Sequence, residues 1–468
     1  MVWDKDLFED QKEIASHFGC HALLIAGPGT GKTLTLTRRV LYLIEEQKIS
    51  PNQILVLTFT RAATAELRNR VFDSLSHSFQ ELPRICTLHS FALRQILLNS
   101  KMREILPQPI RIADKWETRN IIFEDLKGIL NFETSEINYT IPDIKRNFNL
   151  LSTDWQTLNA EKEDWEKNFR DPRFLAAWRH HRETYGYTLL SELVYQLKRG
   201  LTQYEDFALE SDYLHLLIDE YQDLNKCDLA VISALKDKEC EIFASGDDDQ
   251  SIYGFRFAHP EGIRRFKNNF TPSKEYNLKK CIRCDRKIIE LANFVAALDE
   301  HRIKKPLECL DNAKDGEVNI LRFSNQNHEA EGVSLICDFL INKENYKLGD
   351  ILILLNRDKN RIFSSILENS LKKKNIPVEI QITSSPLDIK EGRMLLSFLN
   401  LLINPNDNLA IRTLLILRDT KIGSVISSQI YMLARKKNFT FSETIYKIMD
   451  KPSLISRFGK RISIEMQK

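Results

Sequence analysis

The chain has 468 residues, 43% hydrophobic and 28% charged, with a formal net charge of +2. This length allows roughly three or four compact units, and the balance is that of a globular protein rather than a disordered one. No apolar run reaches the ~18 residues of a membrane helix, and MVWDKDLFED lacks the basic and apolar blocks of a signal peptide, so a cytoplasmic location is expected.

The first chemical signal is LLIAGPGTGKTLTLTRRV, residues 23 to 40. An apolar strand runs into a loop of small residues, and the spacing predicts a helix starting near Gly31 that points unpaired N–H groups and its positive dipole end at a phosphate. Ala26, Gly27, Pro28, Gly29, Thr30, Gly31, Lys32 and Thr33 form the candidate cradle. Lys32 suits the β- and γ-phosphates and the Thr33 hydroxyl suits magnesium, while Ala26 departs from the usual first glycine. Further parallel strands are expected at ILVLTF, RICTLH, LLIDE and EIFASGD, the α/β pattern of a P-loop NTPase. Residues 91 to 196 read as helical, with Trp116, Trp155, Trp165 and Trp178 expected in their core.

HLLIDEYQDLN, residues 215 to 225, ends its apolar run in Asp219 and Glu220, which places both carboxylates at the strand's C-terminal edge, where parallel sheets collect ligands. Asp219 suits a magnesium site, and Glu220 suits the orienting of an attacking water. GDDDQSIYGFRF, residues 246 to 257, sets three carboxylates before Gln250, Tyr253, Phe255 and Arg256. CIRC, with Cys281 and Cys284, has the spacing of half a zinc or redox site, but no second pair accompanies it. Lys-rich SLKKKNIP at 370 to 377 reads as a helix end facing solvent.

In order along the chain, AGPGTGKT, TFTRAATAELRNRV, TLHSFAL, LLIDEYQDLN and GDDDQSIYGFRFA resemble the motif set of superfamily 1 DNA helicases of the UvrD, Rep and PcrA type. The likeness continues through YNLKKCIRCDRKIIELANF and, more diffusely, beyond it. It implies an ATP-driven motor moving 3′ to 5′ on single-stranded DNA and at junctions with duplex, with ATP and Mg2+ as cofactors. It also implies that Gln250 senses the γ-phosphate, that Gln11 reads adenine, and that Arg68 and Arg283 approach the γ-phosphate. Phe59, His89 with Ser90, Tyr253 and Phe255 match DNA-contacting positions; base stacking on such rings contributes ~1 to 3 kcal/mol per base.

Several positions depart from the family pattern. Leu34 and Ile282 stand where the family sandwiches adenine between an arginine and an aromatic ring, which predicts an apolar slot and looser discrimination between ATP and GTP. Phe255 replaces a usual Trp, and Ala62 replaces a usual Lys, with Arg61 beside it as a candidate phosphate contact. The resemblance maps residues 1–90 and 197–285 to the first RecA-like domain, 1A, and 91–196 to helical subdomain 1B. It maps 286–378 to the first part of a second RecA-like domain, 2A, with strands at EVNILRF and DILILL, and 379–468 to a partial helical 2B subdomain. The family's last motifs find no counterpart after residue 294, which leaves two expectations open: a motor, or an ATP- and DNA-binding subunit completed by a partner chain that also covers an exposed sheet edge.

Overall fold

The five strands expected for the first RecA-like domain form, and a sixth joins them. The computed structural model describes residues 3–75, 81–133, 137–252, 254, 257–259, 261–356, 358, 361–380, 385–418, 424–455, 459–460, 462 and 464. In it β1 (His21–Ala26), β2 (Ile54–Thr58), β3 (Arg84–Thr87), β4 (His215–Ile218), β5 (Glu241–Gly246) and β6 (Ser273–Leu278) make one sheet in the order β3-β2-β4-β5-β1-β6. Every neighbouring pair is parallel. Strands covered on both faces read as continuous apolar runs, as β1, β2 and β4 do. Leu24, Val56, Leu217 and Phe243 join one core with Leu36 and Val40 of α2 (Lys32–Glu45), while Leu23, Leu55, Leu216 and Ala244 join the other with Phe91 and Ile96. SKEYNL in β6 hides its nature because it lies at the sheet edge and buries only Tyr276 and Leu278.

Register fixes the working edge of this sheet. Ile25 lies opposite both Gly246 and Asn277, and Ile218 lies opposite Leu57 and Ala244. The segments after β1, β4 and β5 therefore leave from one side, which brings Gly27, Asp219 and Asp247 to a common rim.

Residues 91–196 are mainly helical, as expected, but Gly186 divides the longest stretch. The helix Pro172–Tyr185 ends there on a backbone φ of +67°, and Thr188–Leu189 then pairs with Ile112–Ala113 before helix Leu193–Gln203 begins. Trp155 and Trp178 are buried with ring centroids 5.8 Å apart, while Trp116 and Trp165 are partly buried against the same core.

The chain divides into two units, residues 1–315 with 390–468, and residues 316–389. The segment expected as the first part of domain 2A is therefore split between them. In the smaller unit, helices Gln326–Asn342 and Ser364–Lys373 enclose a small core of Cys337, Leu371 and Ile376. The strands expected at EVNILRF and DILILL do not form among the described residues, and Ile320, Leu352 and Leu354 are exposed. A parallel strand needs partners and a cover on each face, and two helices around so small a core do not supply them. Lys372 and Lys373 close the second helix in its last turn, as the helix dipole favours. No helix of the described residues is long and apolar enough to cross a membrane.

In the larger unit, buried charge ties helices of 390–468 to those of 91–196. Arg412 Nη2 lies 2.8 Å from Asp125 Oδ1, Tyr185 donates to Asp125 at 3.2 Å, and His181 Nε2 is 3.6 Å from the same carboxylate. Burial alone would raise the Asp125 carboxyl, but the Arg412 guanidinium outweighs it and holds the group below its ordinary range. Burial also lowers the His181 imidazole. Removing one partner leaves the other buried and unpaired. Arg412→Met is expected to cost about 3–5 kcal/mol in urea unfolding. Unfolded His181 binds protons that the folded imidazole refuses, so its share of stability is complete above about pH 6.5 and lost below it. A fall in stability between pH 7 and pH 5 that His181→Phe flattens checks this sign.

Candidate nucleotide site at the sheet edge

The loop after β1 has the shape of an anion cradle. Gly29 and Gly31 have φ of +72° and +89°, conformations a side chain resists, and α2 starts at Lys32 directly after Gly31. Thr30 turns its hydroxyl inward onto the Gly27 carbonyl at 2.8 Å. The first N–H groups of α2 have no partner within the helix, which suits this end to an anion such as phosphate.

Acidic groups from β4 meet the loop. Lys32 Nζ lies 2.5 Å from Glu220 Oε2, joining residues 188 apart in the chain. Glu220 has a φ of +55°, uncommon for a residue with a side chain and a form of strain concentrated at working sites. Asp219 is buried and accepts from Ser245 Oγ and from the Glu220 N–H, both at 3.1 Å and both on Oδ1. Burial pushes its carboxyl up, and nearby Lys32 opposes this. A hydroxyl from Thr33 and a carboxylate from Asp219 are the hard oxygen donors that Mg2+ prefers.

A hydrogen-bonded chain continues to the loop after β5. Gln222 Nε2 donates to Glu220 Oε2 at 2.8 Å, and Gln222 Oε1 accepts from the Asp247 N–H at 3.0 Å. Asp247 Oδ2 in turn accepts from Gln250 Nε2 at 2.7 Å. Lys32, Glu220 and Gln250 thus belong to one network. Of the three carboxylates before Gln250, Asp247 is the one that joins this network. Gln222 and Ser245 carry no signal of their own in the sequence, since no spacing rule marks an amide or hydroxyl that acts through its neighbour, and only the nearness of Gln222 to the Asp219–Glu220 pair points to it.

The structure also brings Gln11 and Arg283 to the loop. Gln11 is buried on α1 (Glu9–Ala15), accepts from the Phe8 N–H at 3.1 Å and donates to the Thr30 carbonyl at 3.1 Å. One amide hydrogen and one lone pair remain for a base edge. Ile282 donates its N–H to the Gly29 carbonyl at 2.8 Å, and Arg283 Cβ and Cys281 Sγ pack 2.8 Å from where a side chain on Gly29 would begin. Arg68 is instead held by the Ile85 carbonyl of β3 at 2.8 Å. Phe59 is half-buried after β2, and His89 is exposed in the first turn of helix Leu88–Leu98, whose start Thr87 caps through the Ser90 N–H. Tyr253, Phe255 and Arg256 lie outside the described residues.

Residues 7–271 match the family model for the UvrD/REP helicase N-terminal domain, and residues 276–461 match that for the UvrD-like helicase C-terminal domain. Among curated relatives, the ATP-dependent DNA helicase Rep of Buchnera aphidicola subsp. Acyrthosiphon pisum is 28% identical over 461 residues, covering 94% of this chain and 67% of the relative. The ATP-dependent DNA helicase PcrA of Staphylococcus epidermidis is 26% identical over 452 residues, 95% of this chain and 60% of the relative. DNA helicase II of Haemophilus influenzae is 28% identical over 454 residues, 93% and 59%. The chain therefore spans between 59% and 67% of the length of these three relatives. Because the C-terminal match extends to residue 461, the expected lack of the family's last part, and the partner chain invoked to supply it, find no support.

Gly29→Ala tests the cradle. A side chain in this backbone conformation carries about 1–3 kcal/mol of strain and must displace Arg283 or Cys281, so affinity for a fluorescent ATP analogue is expected to fall about tenfold or more with the circular dichroism spectrum unchanged.

Proposed function

We propose that this chain, which belongs to the UvrD/REP family of ATP-dependent DNA helicases, hydrolyses ATP to move 3′ to 5′ along single-stranded DNA and opens duplex ahead of it. The observation that carries the reading is the Lys32–Glu220 pair with its extension through Gln222 and Asp247 to Gln250. These bonds support the reading because they link the residues proposed as the phosphate-binding cation, Lys32, the water-orienting carboxylate, Glu220, and the γ-phosphate sensor, Gln250.

In this mechanism the loop N–H groups and Lys32 bind the β- and γ-phosphates. Arriving phosphate draws Lys32 away from Glu220 and frees that carboxylate to accept a proton from the attacking water. Thr33 and Asp219 would hold Mg2+, which supplies charge neutralisation at the phosphates when bound. Gln250 and Arg283 contact the γ-phosphate, with Arg68 as a further candidate, and Gln11 reads the base through its remaining amide hydrogen and lone pair. Phe59, His89, Tyr253 and Phe255 receive unstacked bases of the DNA. Leu34 and Ile282 supply apolar contact to the base in place of a stacked ring, so selection of ATP over GTP rests chiefly on Gln11.

ATP hydrolysis by the purified chain is expected to be stimulated by single-stranded DNA and abolished in Lys32→Ala. A duplex with a 3′ single-stranded tail is expected to be opened, and one with a 5′ tail left closed. GTP is expected to support hydrolysis with a KM within about tenfold of that for ATP, as the small discrimination of an apolar slot suggests; strict ATP dependence would remove the apolar-slot reading alone.

A further inference from the structure

The triplet Asp247, Asp248 and Asp249 brings three carboxylates of one sign into a place largely closed to water, with the first two buried and the third half-buried. Such a cluster persists only if cations compensate it. They come mainly from a segment more than fifty residues later. Lys305 is 3% exposed, and its Nζ lies 2.9 Å from Asp247, 3.0 Å from Asp249 and in contact with Asp248. Arg302 grips Asp249 with two bonds of 2.8 and 2.5 Å, the Ile303 N–H donates to Asp248 at 2.8 Å, and Arg264 Nε approaches Asp248 at 3.4 Å. Burial would lower the Lys305 ammonium, but the carboxylates prevail and hold it above its ordinary value.

We propose that Lys305 is a positioning residue, an internal cation that stands among the three aspartates where a metal ion could stand and, through Asp247, sets the side chain of Gln250. Oxygens of the three carboxylates lie within 4.8 Å of one another, close enough to share one ion. A lysine ammonium suits this place because its three donors radiate from a point, whereas a guanidinium presents a planar fork. The two oxygens of Asp247 divide their work: Oδ1 meets Lys305, and Oδ2 accepts from Gln250. Without the ammonium, Asp248 and Asp249 repel Asp247, and Gln250 loses its anchor. Since the Asp247 N–H also holds Gln222 and thereby Glu220, the disturbance reaches the hydrolytic carboxylate. In this way the 302–305 segment helps set the γ-phosphate sensor. The role of Gln250 in this inference rests on the proposed ATPase.

Lys305→Ala separates the possibilities. The expected result is a fall in DNA-stimulated kcat of about tenfold or more, the scale of a misplaced catalytic group, with KM for ATP within about twofold of the parent. Propylammonium, which replaces the deleted part of the side chain, is expected to restore part of kcat. In the absence of nucleotide, the variant is expected to bind one more Mn2+ than the parent by electron paramagnetic resonance. Should Lys305→Ala fail to fold, Lys305→Ala with Asp248→Asn removes one uncompensated charge, and the kcat and propylammonium measurements are made on that variant. An unchanged kcat in a folded variant overturns the proposal, as does a loss that propylammonium does not relieve and that brings no additional Mn2+ site. If the parent itself does not hydrolyse ATP, the proposed function fails separately, and the Mn2+ count decides whether Lys305 is the internal cation.

Discussion

Parallel register is the constraint on which the site depends. Side by side, β1, β4 and β5 end at the same rim, so a phosphate loop, a carboxylate pair and an aspartate triplet distributed over more than two hundred residues become neighbours. Both faces of these strands are covered by helices, and a one-residue slip would turn every inward side chain outward. The apolar faces that hold the register therefore also hold the chemistry in place.

At that rim, charge is arranged in linked pairs rather than as isolated groups. Lys32 meets Glu220, Lys305 meets the aspartates, and Gln222 joins the two sets by donating to one and accepting from the other. In the proposed mechanism a bound phosphate competes with Glu220 for Lys32, so its arrival changes partners along the network without requiring a new side chain to enter. The same logic of buried opposite charges recurs between Arg412 and Asp125, where it joins distant helices.

The smaller unit presents a contrast. Its apolar segments around Ile320, Leu352 and Leu354 have the composition of strands yet remain unpaired among the described residues. β-propensity expresses fit to a half-buried pleated surface, and where neighbours and cover are lacking the same residues stay outside a sheet. SKEYNL shows the reverse case: a polar, unpromising segment becomes β6 because the exposed side of β1 offers it a ladder.

Much of the site was legible in local pattern. GPGTGKT required a phosphate loop because small residues, left-handed glycines and a helix start occur together, and HLLIDE required acids at a strand end because an apolar run stops at Asp219. Those features depend on a few adjacent residues, so the sequence by itself determined the α/β class, the glycine-rich loop that leads into α2 and the family. What joins Lys305 to the aspartates, Gln222 to Asp247 or Arg412 to Asp125 depends on distances through space between residues far apart in the chain. Tertiary structure alone decided these partnerships, because a buried charge takes whichever opposite charge packing brings within reach, and no local spacing records that choice.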